Sequence, residues 1–121
     1  MTNAQIIEAV RYRWKGISST DPDDAALKRV VHQGLQSIRS NCPMAFLDAR
    51  GRLTSLDNET DFVNNWQDGD DVPVPEEFTE PLVLYVLWTL YTRDQNDVRD
   101  QSVCETMRRN YFESLGIGVG G

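Results

Sequence analysis

His32 is the sole histidine of the 121-residue chain, and Cys42 and Cys104 are its only cysteines. One histidine leaves none to spare for a metal site, and two cysteines 62 positions apart lack the CxxC spacing that brings paired thiolates to zinc. His32 falls beside the inward stripe of a helix, where a packed structural role is the simpler expectation. Among the acids, the register Asp57, Glu59, Asp61 has Phe62 where a calcium loop needs glycine, and Asp68, Asp70 runs into Val72-Pro73. Weak magnesium or calcium binding at Asp68, Asp70 and Asp71 is the residual metal reading. Gly116-x-Gly118-x-x-Gly121 has the letters of a dinucleotide fingerprint but follows a helical pattern instead of opening one, so no helix N-terminus is offered to a pyrophosphate. Glu76 and Glu77 stand at a helix entry, where the helix dipole accounts for both. No nucleophile has a base in reach of the pattern. The expectation is a protein that is not an enzyme and uses no cofactor or metal.

The elements that carry these residues read as helices. Thr2 and Gln5 have capping-box spacing, and Ile6, Ile7, Val10 and Trp14 form one stripe, predicting a first helix over about Asn3 to Lys15 with Gly16 as its stop. Arg11, Arg13 and Lys15 lie on its other face as a solvated basic patch. Thr20-Asp21-Pro22-Asp23-Asp24 opens a second helix, with Asp21 as N-cap and Pro22 in the first helical position. Its inward face, Leu27, Val30, Val31, Gly34, Leu35 and Ile38, lasts to about Ser40, and Gly34 permits close approach of another helix.

From Met44 to Val74 the periodicity changes. Ala45 to Asp48 and Arg52 to Leu56 alternate around Gly51 and predict a β-hairpin. Asp57 to Asp71 is polar and acidic, with Phe62, Val63 and Trp66 as anchors; as a long connection it is the first place to seek a partner surface. Leu82 to Tyr91 is apolar at almost every position, which predicts a buried third helix. Pro81 would break a helix begun at Pro75, so a kink is expected, or a short turn followed by the helix proper from about Thr79 or Glu80 to Arg93. A last helix is predicted over about Asp97 to Leu115, its stripe made by Val98, Cys104, Met107, Tyr111, Phe112 and Leu115, with Gly116 ending it. The fold class is therefore mainly α: a four-helix bundle-like single domain over residues 1–115, a hairpin-bearing excursion at 44–74, and a flexible, extended tail at 116–121.

Length and composition agree with one soluble domain, since 40% apolar and 26% charged residues are ordinary values. No apolar run reaches membrane-spanning length, and Met1 to Ala9 lacks the features of a signal peptide, so the two cysteines are read as free thiols. The net charge of −7 is unevenly placed. Residues 1–50 hold seven Lys/Arg against five Asp/Glu, residues 51–100 three against twelve, and residues 101–121 two against two. A middle of net −9 repels DNA, which argues against wrapping a duplex and leaves open a role in which repulsion is useful.

The string Val74-Pro75-Glu76-Glu77-Phe78-Thr79-Glu80-Pro81-Leu82-Val83-Leu84-Tyr85-Val86-Leu87, continuing to Tyr91-x-x-Asp94, and later Tyr111-Phe112-x-x-Leu115-Gly116, resembles the head-to-tail adaptor (connector, or head-completion) proteins of tailed bacteriophages. In that family a proline and an acidic pair open a long apolar helix, and the last helix carries an aromatic pair shortly before Leu-Gly. Pro81 departs from the pattern. The resemblance implies a structural virion protein, commonly twelve copies in a homo-oligomeric ring in the neck between portal and tail, assembled in the host cytoplasm. The ring extends the DNA channel and helps close the filled head; genomic DNA passes without specific binding, and no membrane is involved. Partners so implied are the portal protein and a tail or nozzle protein. Portal docking then falls to Ile117, Val119, Tyr111 and Phe112. Arg50, Arg52, Asp68, Asp70 and Asp71 would face the tail or lumen, and Trp66, Tyr85, Trp88 and Tyr91 would serve subunit contacts or the core.

Two other classes fit parts of the pattern. A small acidic helical regulator, an antitoxin or DNA-mimicking inhibitor, would also be negative and cofactor-free, and would bind one protein partner in fixed ratio. A helix-turn-helix reader could use Arg11, Arg13 and Lys15, but the connection between the first two helices lacks the usual short spacing.

Overall fold

The fold is organised around the helix α4, Thr79–Arg93, in which Thr79, Pro81, Leu82, Val83, Leu84, Val86, Leu87 and Leu90 are buried. A helix apolar on nearly all sides must be enclosed. Three others enclose it: α1 (Asn3–Trp14), α2 (Asp24–Asn41) and α5 (Val98–Ser114) all pack on α4. The computed structural model describes residues 1–14, 23–93 and 98–116. Among them the chain is mainly α, with a short fifth helix, α3 (Glu59–Asn64), laid along α2. The core joins Ile6 and Val10 of α1, Leu27, Val31, Leu35 and Ile38 of α2, the α4 side chains, and Tyr111 of α5.

The entry to α4 resolves the difficulty of Pro81. Glu76–Phe78 is one 3-10 turn and the α-helix proper begins at Thr79, so Pro81 sits in the first turn, where no backbone N–H is required. Gly34 is buried, and a Cβ there would lie 2.7 Å from Leu82 Cδ1 and 3.0 Å from Tyr85 Cδ1. The missing side chain is what lets α2 and α4 meet. Gly116, at φ +78°, ends α5 as expected, its N–H donating to the Glu113 carbonyl at 2.9 Å.

Three expectations are corrected. Asp23, not Asp21, caps α2: it has extended backbone angles and its carboxylate accepts from the Ala26 N–H at 2.8 Å. Asp21 and Pro22 lie outside the described residues, as do Lys15, Gly16 and Asp97. The β-hairpin does not form. Pro43–Phe46 is a 3-10 turn that drives Phe46 into the core, and only one antiparallel bridge, Leu47 to Leu53, is left. The alternation of the sequence is overridden by Asp48, whose Oδ1 accepts from the N–H groups of both Arg50 and Arg52, at 2.8 and 3.0 Å, and folds the chain back at once. Finally, α3 replaces part of the irregular stretch expected after Asp57. Asn58 caps it by accepting from the Asp61 N–H at 2.9 Å, a signal present in the sequence as Asn58-x-x-Asp61.

Candidate interaction surfaces of the excursion

The excursion between α2 and α4 crosses α2 from its C-terminal end to its N-terminal half. His32 fastens the middle. Its ring is buried and Nε2–H donates to the Asp57 carbonyl at 2.7 Å, while Phe62 of α3 tilts against it with centroids 5.2 Å apart. Phe62 in turn meets Trp66 edge-on at 5.6 Å, and Lys28 places Nζ 5.4 Å from the Trp66 ring centre. His32 is thus a structural clasp, and Phe62 and Trp66 act as the expected anchors.

Beyond Trp66 the chain becomes a strap over the start of α1. The Asp70 carbonyl accepts from the Asn3 N–H at 2.8 Å, the Asp68 carbonyl accepts from the Ala4 N–H at 3.1 Å, and Thr2 bridges Asp71. These bonds satisfy N–H groups that a helix leaves unpartnered at its first turn. Thr2 and Gln5 complete the predicted capping box: the Thr2 N–H donates to Gln5 Oε1 at 2.8 Å, and the Gln5 N–H donates to Thr2 Oγ1 at 3.3 Å. Asn3 is buried beneath the strap, where its Nδ2 donates to the Gln67 carbonyl at 2.8 Å. The Trp66 indole N–H donates to Asp68 Oδ1 at 2.8 Å. Asp70 and Asp71 leave their carboxylates exposed. Among the described residues no three His, Cys, Asp or Glu side chains converge to hold a metal.

The strap and α3 border a cleft of about 230 Å³ lined by Asn3, Asp57, Phe62, Trp66, Asp70 and Asp71, among others. A wider and shallower cleft, about 810 Å³, lies at the other end of α2 between Arg39 and Leu53. Beside it every residue of the turn that holds Arg50 and Arg52 is exposed, with Leu47 and Leu53 on its legs.

The aromatic residues of the sequence pattern divide. Tyr85, Trp88, Tyr111 and Phe112 form one cluster between α4 and α5, with Trp88 stacked on Tyr111 at 6.0 Å and Phe112 edge-on to Trp88 at 5.9 Å. Tyr91 meets Trp14 edge-on at 4.7 Å, tying α4 to α1. Tyr111 is completely buried and its hydroxyl shares a hydrogen bond of 2.6 Å with Ser37 Oγ. Burial pushes its phenol above the ordinary value, against the lowering effect of hydrogen bonds to Ser37 and Asn41. Of the four residues expected to dock a portal, Tyr111 therefore belongs to the core, Phe112 is half-buried beside it, and Ile117 and Val119 lie outside the described residues.

The basic patch of α1 is committed within the fold: Arg11 pairs with Asp24 and Arg13 pairs with Glu80 at 2.7 Å. Cys42 and Cys104 form no disulfide with each other, and no helix among the described residues is long and apolar enough to cross a membrane. No protein-family model, curated protein or solved structure matches the chain.

Proposed function

We propose that this chain is a structural virion component, a head-to-tail adaptor that joins a ring between portal and tail in the particle neck. The observation that carries the reading is the string from Val74 to Leu87, resembling the adaptor family's Pro-acidic entry into an apolar helix, which here opens the enclosed α4. The charge pattern supports it. Between Leu53 and Thr92 the sequence has nine Asp/Glu and no Lys or Arg. Eight of those carboxylates are exposed and Glu59 is half-buried, giving a surface that DNA slides past without sticking. In this reading the strap acids Asp68, Asp70 and Asp71 and the turn residues Arg50 and Arg52 face the lumen or the tail component. Ile117 and Val119 dock on the portal, with Phe112 at the margin.

Native mass spectra of the purified protein with the portal ring of the same genome test the proposal. Saturation at one copy per portal subunit supports it. A stable monomer or dimer that ignores the portal and binds a different protein in 1:1 ratio would replace it with the acidic-regulator reading.

A further inference from the structure

The two ends of α2 carry opposite chemistry. Among the described residues five large apolar side chains are exposed, and three of them, Met44, Leu47 and Leu53, flank one turn whose tip holds Arg50 and Arg52. The strap cleft offers the reverse. Its acids, Asp57, Asp70 and Asp71, have no Lys or Arg among the lining residues, and Phe62 and Trp66 supply aromatic surface, one face of Trp66 being met by Lys28 with Nζ 5.4 Å from the ring centre. Asn3, 6% exposed, also lines it, and its Oδ1 is buried with no hydrogen-bond partner among the described residues. A buried acceptor of this kind calls for a donor. Carboxylates, an amide oxygen and flat rings together suit a guanidinium, which is planar, donates five N–H bonds and stacks on aromatic faces. The cleft volume of about 230 Å³ suits one long side chain, not a helix.

We propose that the turn of one copy docks head to tail into the strap cleft of a second copy, with Arg50 or Arg52 entering between the Trp66 side and the carboxylates of Asp70 and Asp71. Charge complementarity selects a second copy as the occupant, because one chain presents both halves of the match. The halves are different patches, although Leu56 and Asp57 line both clefts. Trp66 sits at Lys28 and the turn lies near Arg39, which at 1.5 Å per residue separates them by roughly 16 Å along α2. A contact between two different patches is heterologous, so it propagates from copy to copy and closes only if the rotation per step allows. The inference deepens the adaptor reading and rests on it for the closed ring, and within that reading it assigns Arg50, Arg52, Asp70 and Asp71 to the contact between copies in place of the lumen or tail face, where Asp68 stays. The apolar flank of Met44, Leu47 and Leu53 is covered in the same step.

Sedimentation of the full chain up to about 1 mM, at low and high salt, tests the contact with two charge-reversed variants, Arg50→Glu/Arg52→Glu and Asp70→Lys/Asp71→Lys. All four side chains are exposed, and circular dichroism of each variant checks that it folds. Association of the wild type that weakens with salt, at least about tenfold weaker self-association of each variant, and recovery on mixing the two variants are the expected results. Mixing restores both contacts, since the reversed turn of one variant meets the reversed cleft of the other, and the native turn of the second meets the native cleft of the first. A wild type that is monomeric at about 1 mM, or variants that associate as the wild type does, overturns the contact. Portal saturation is measured alongside. If it persists while the reversals have no effect, the adaptor reading stands and this contact fails; if portal binding is absent, the adaptor reading fails whatever the reversals do.

Discussion

Ser37 and Tyr111 meet through a part-buried 2.6 Å hydrogen bond that joins the C-terminal part of α2 to the last turn of α5. It gives the phenol a hydroxyl partner beside the ring cluster of Tyr85, Trp88 and Phe112. Tyr111→Phe keeps that packing and removes the bond, so unfolding free energy should fall by about 1 kcal/mol in urea titrations near neutral pH. The alkaline limb gives a second readout. A phenol pKa raised by burial above 10.0 means the folded state holds the proton more tightly than the unfolded chain. That stabilisation is complete below about pH 10 and is lost as pH climbs through the raised folded value. The wild type should lose stability over this range more steeply than Tyr111→Phe; equal slopes would show that Tyr111 is not the group responsible.

Gly34 sets the spacing of α2 and α4. Alanine there gains helix propensity worth about 1 kcal/mol, but its Cβ would press on Leu82, which is fully buried, and on the Tyr85 ring. Overpacking of about 1–3 kcal/mol should win, leaving Gly34→Ala less stable by on the order of 1 kcal/mol, or about 4 °C in Tm. Gly34→Val should lose more, because a branched side chain has two atoms to place where one already clashes. A Tm for Gly34→Ala at or above the wild type would mean the two helices yield at no cost.

The parts of this fold that the sequence predicts are those governed by local chemistry with one outcome. Gly34, Gly116, the Thr2–Gln5 box and the apolar run after Pro81 each leave the backbone a single inexpensive arrangement. The excursion is less legible because its outcome depends on contacts distant in sequence. Ala45 to Leu56 alternates as strands do, yet Phe46 enters the core from a 3-10 turn and keeps only a carbonyl that accepts from the Thr54 N–H at 2.9 Å, and Asp48 has the means to close the chain over five residues. The six-residue α3 is too short to hold on propensity alone, so its existence follows from Phe62 packing on His32, a pair 30 positions apart. The strap cleft was hidden for the same reason: Asn3 and Asp70 are neighbours only after folding. Tyr111 and Phe112, adjacent in sequence and read together as docking residues, have different fates because helix geometry turns one inward.

His32 should matter for local order more than for chemistry. His32→Ala empties a buried site between α2 and α3 and leaves the Asp57 carbonyl without its donor, with an expected loss of about 2–4 kcal/mol. His32→Gln, which can still present an N–H, should lose less. Hydrogen exchange should localise the damage: amides of Phe62 and Asn65, which close α3, should lose protection before those of α2. Uniform loss over the whole chain would show that His32 holds the entire domain and not the excursion alone.

Asp48 lets assembly be separated from stability. Its carboxylate accepts from the Arg50 and Arg52 N–H groups in an exposed turn, so Asp48→Ala removes the template that presents both guanidinium groups while disturbing nothing in the core. Unfolding free energy should change by less than about 1 kcal/mol, because exposed backbone groups find water in its place. Docking by the turn should suffer more, since a loosened loop must be ordered again before it can enter the cleft. Asp48→Asn retains an Oδ1 acceptor at the same position and should restore association. Parallel sedimentation and urea titrations decide it: weaker association with unchanged stability for alanine, and recovery for asparagine, place the effect in the turn. Association unaffected by the alanine would mean that the turn needs no preorganisation to bind.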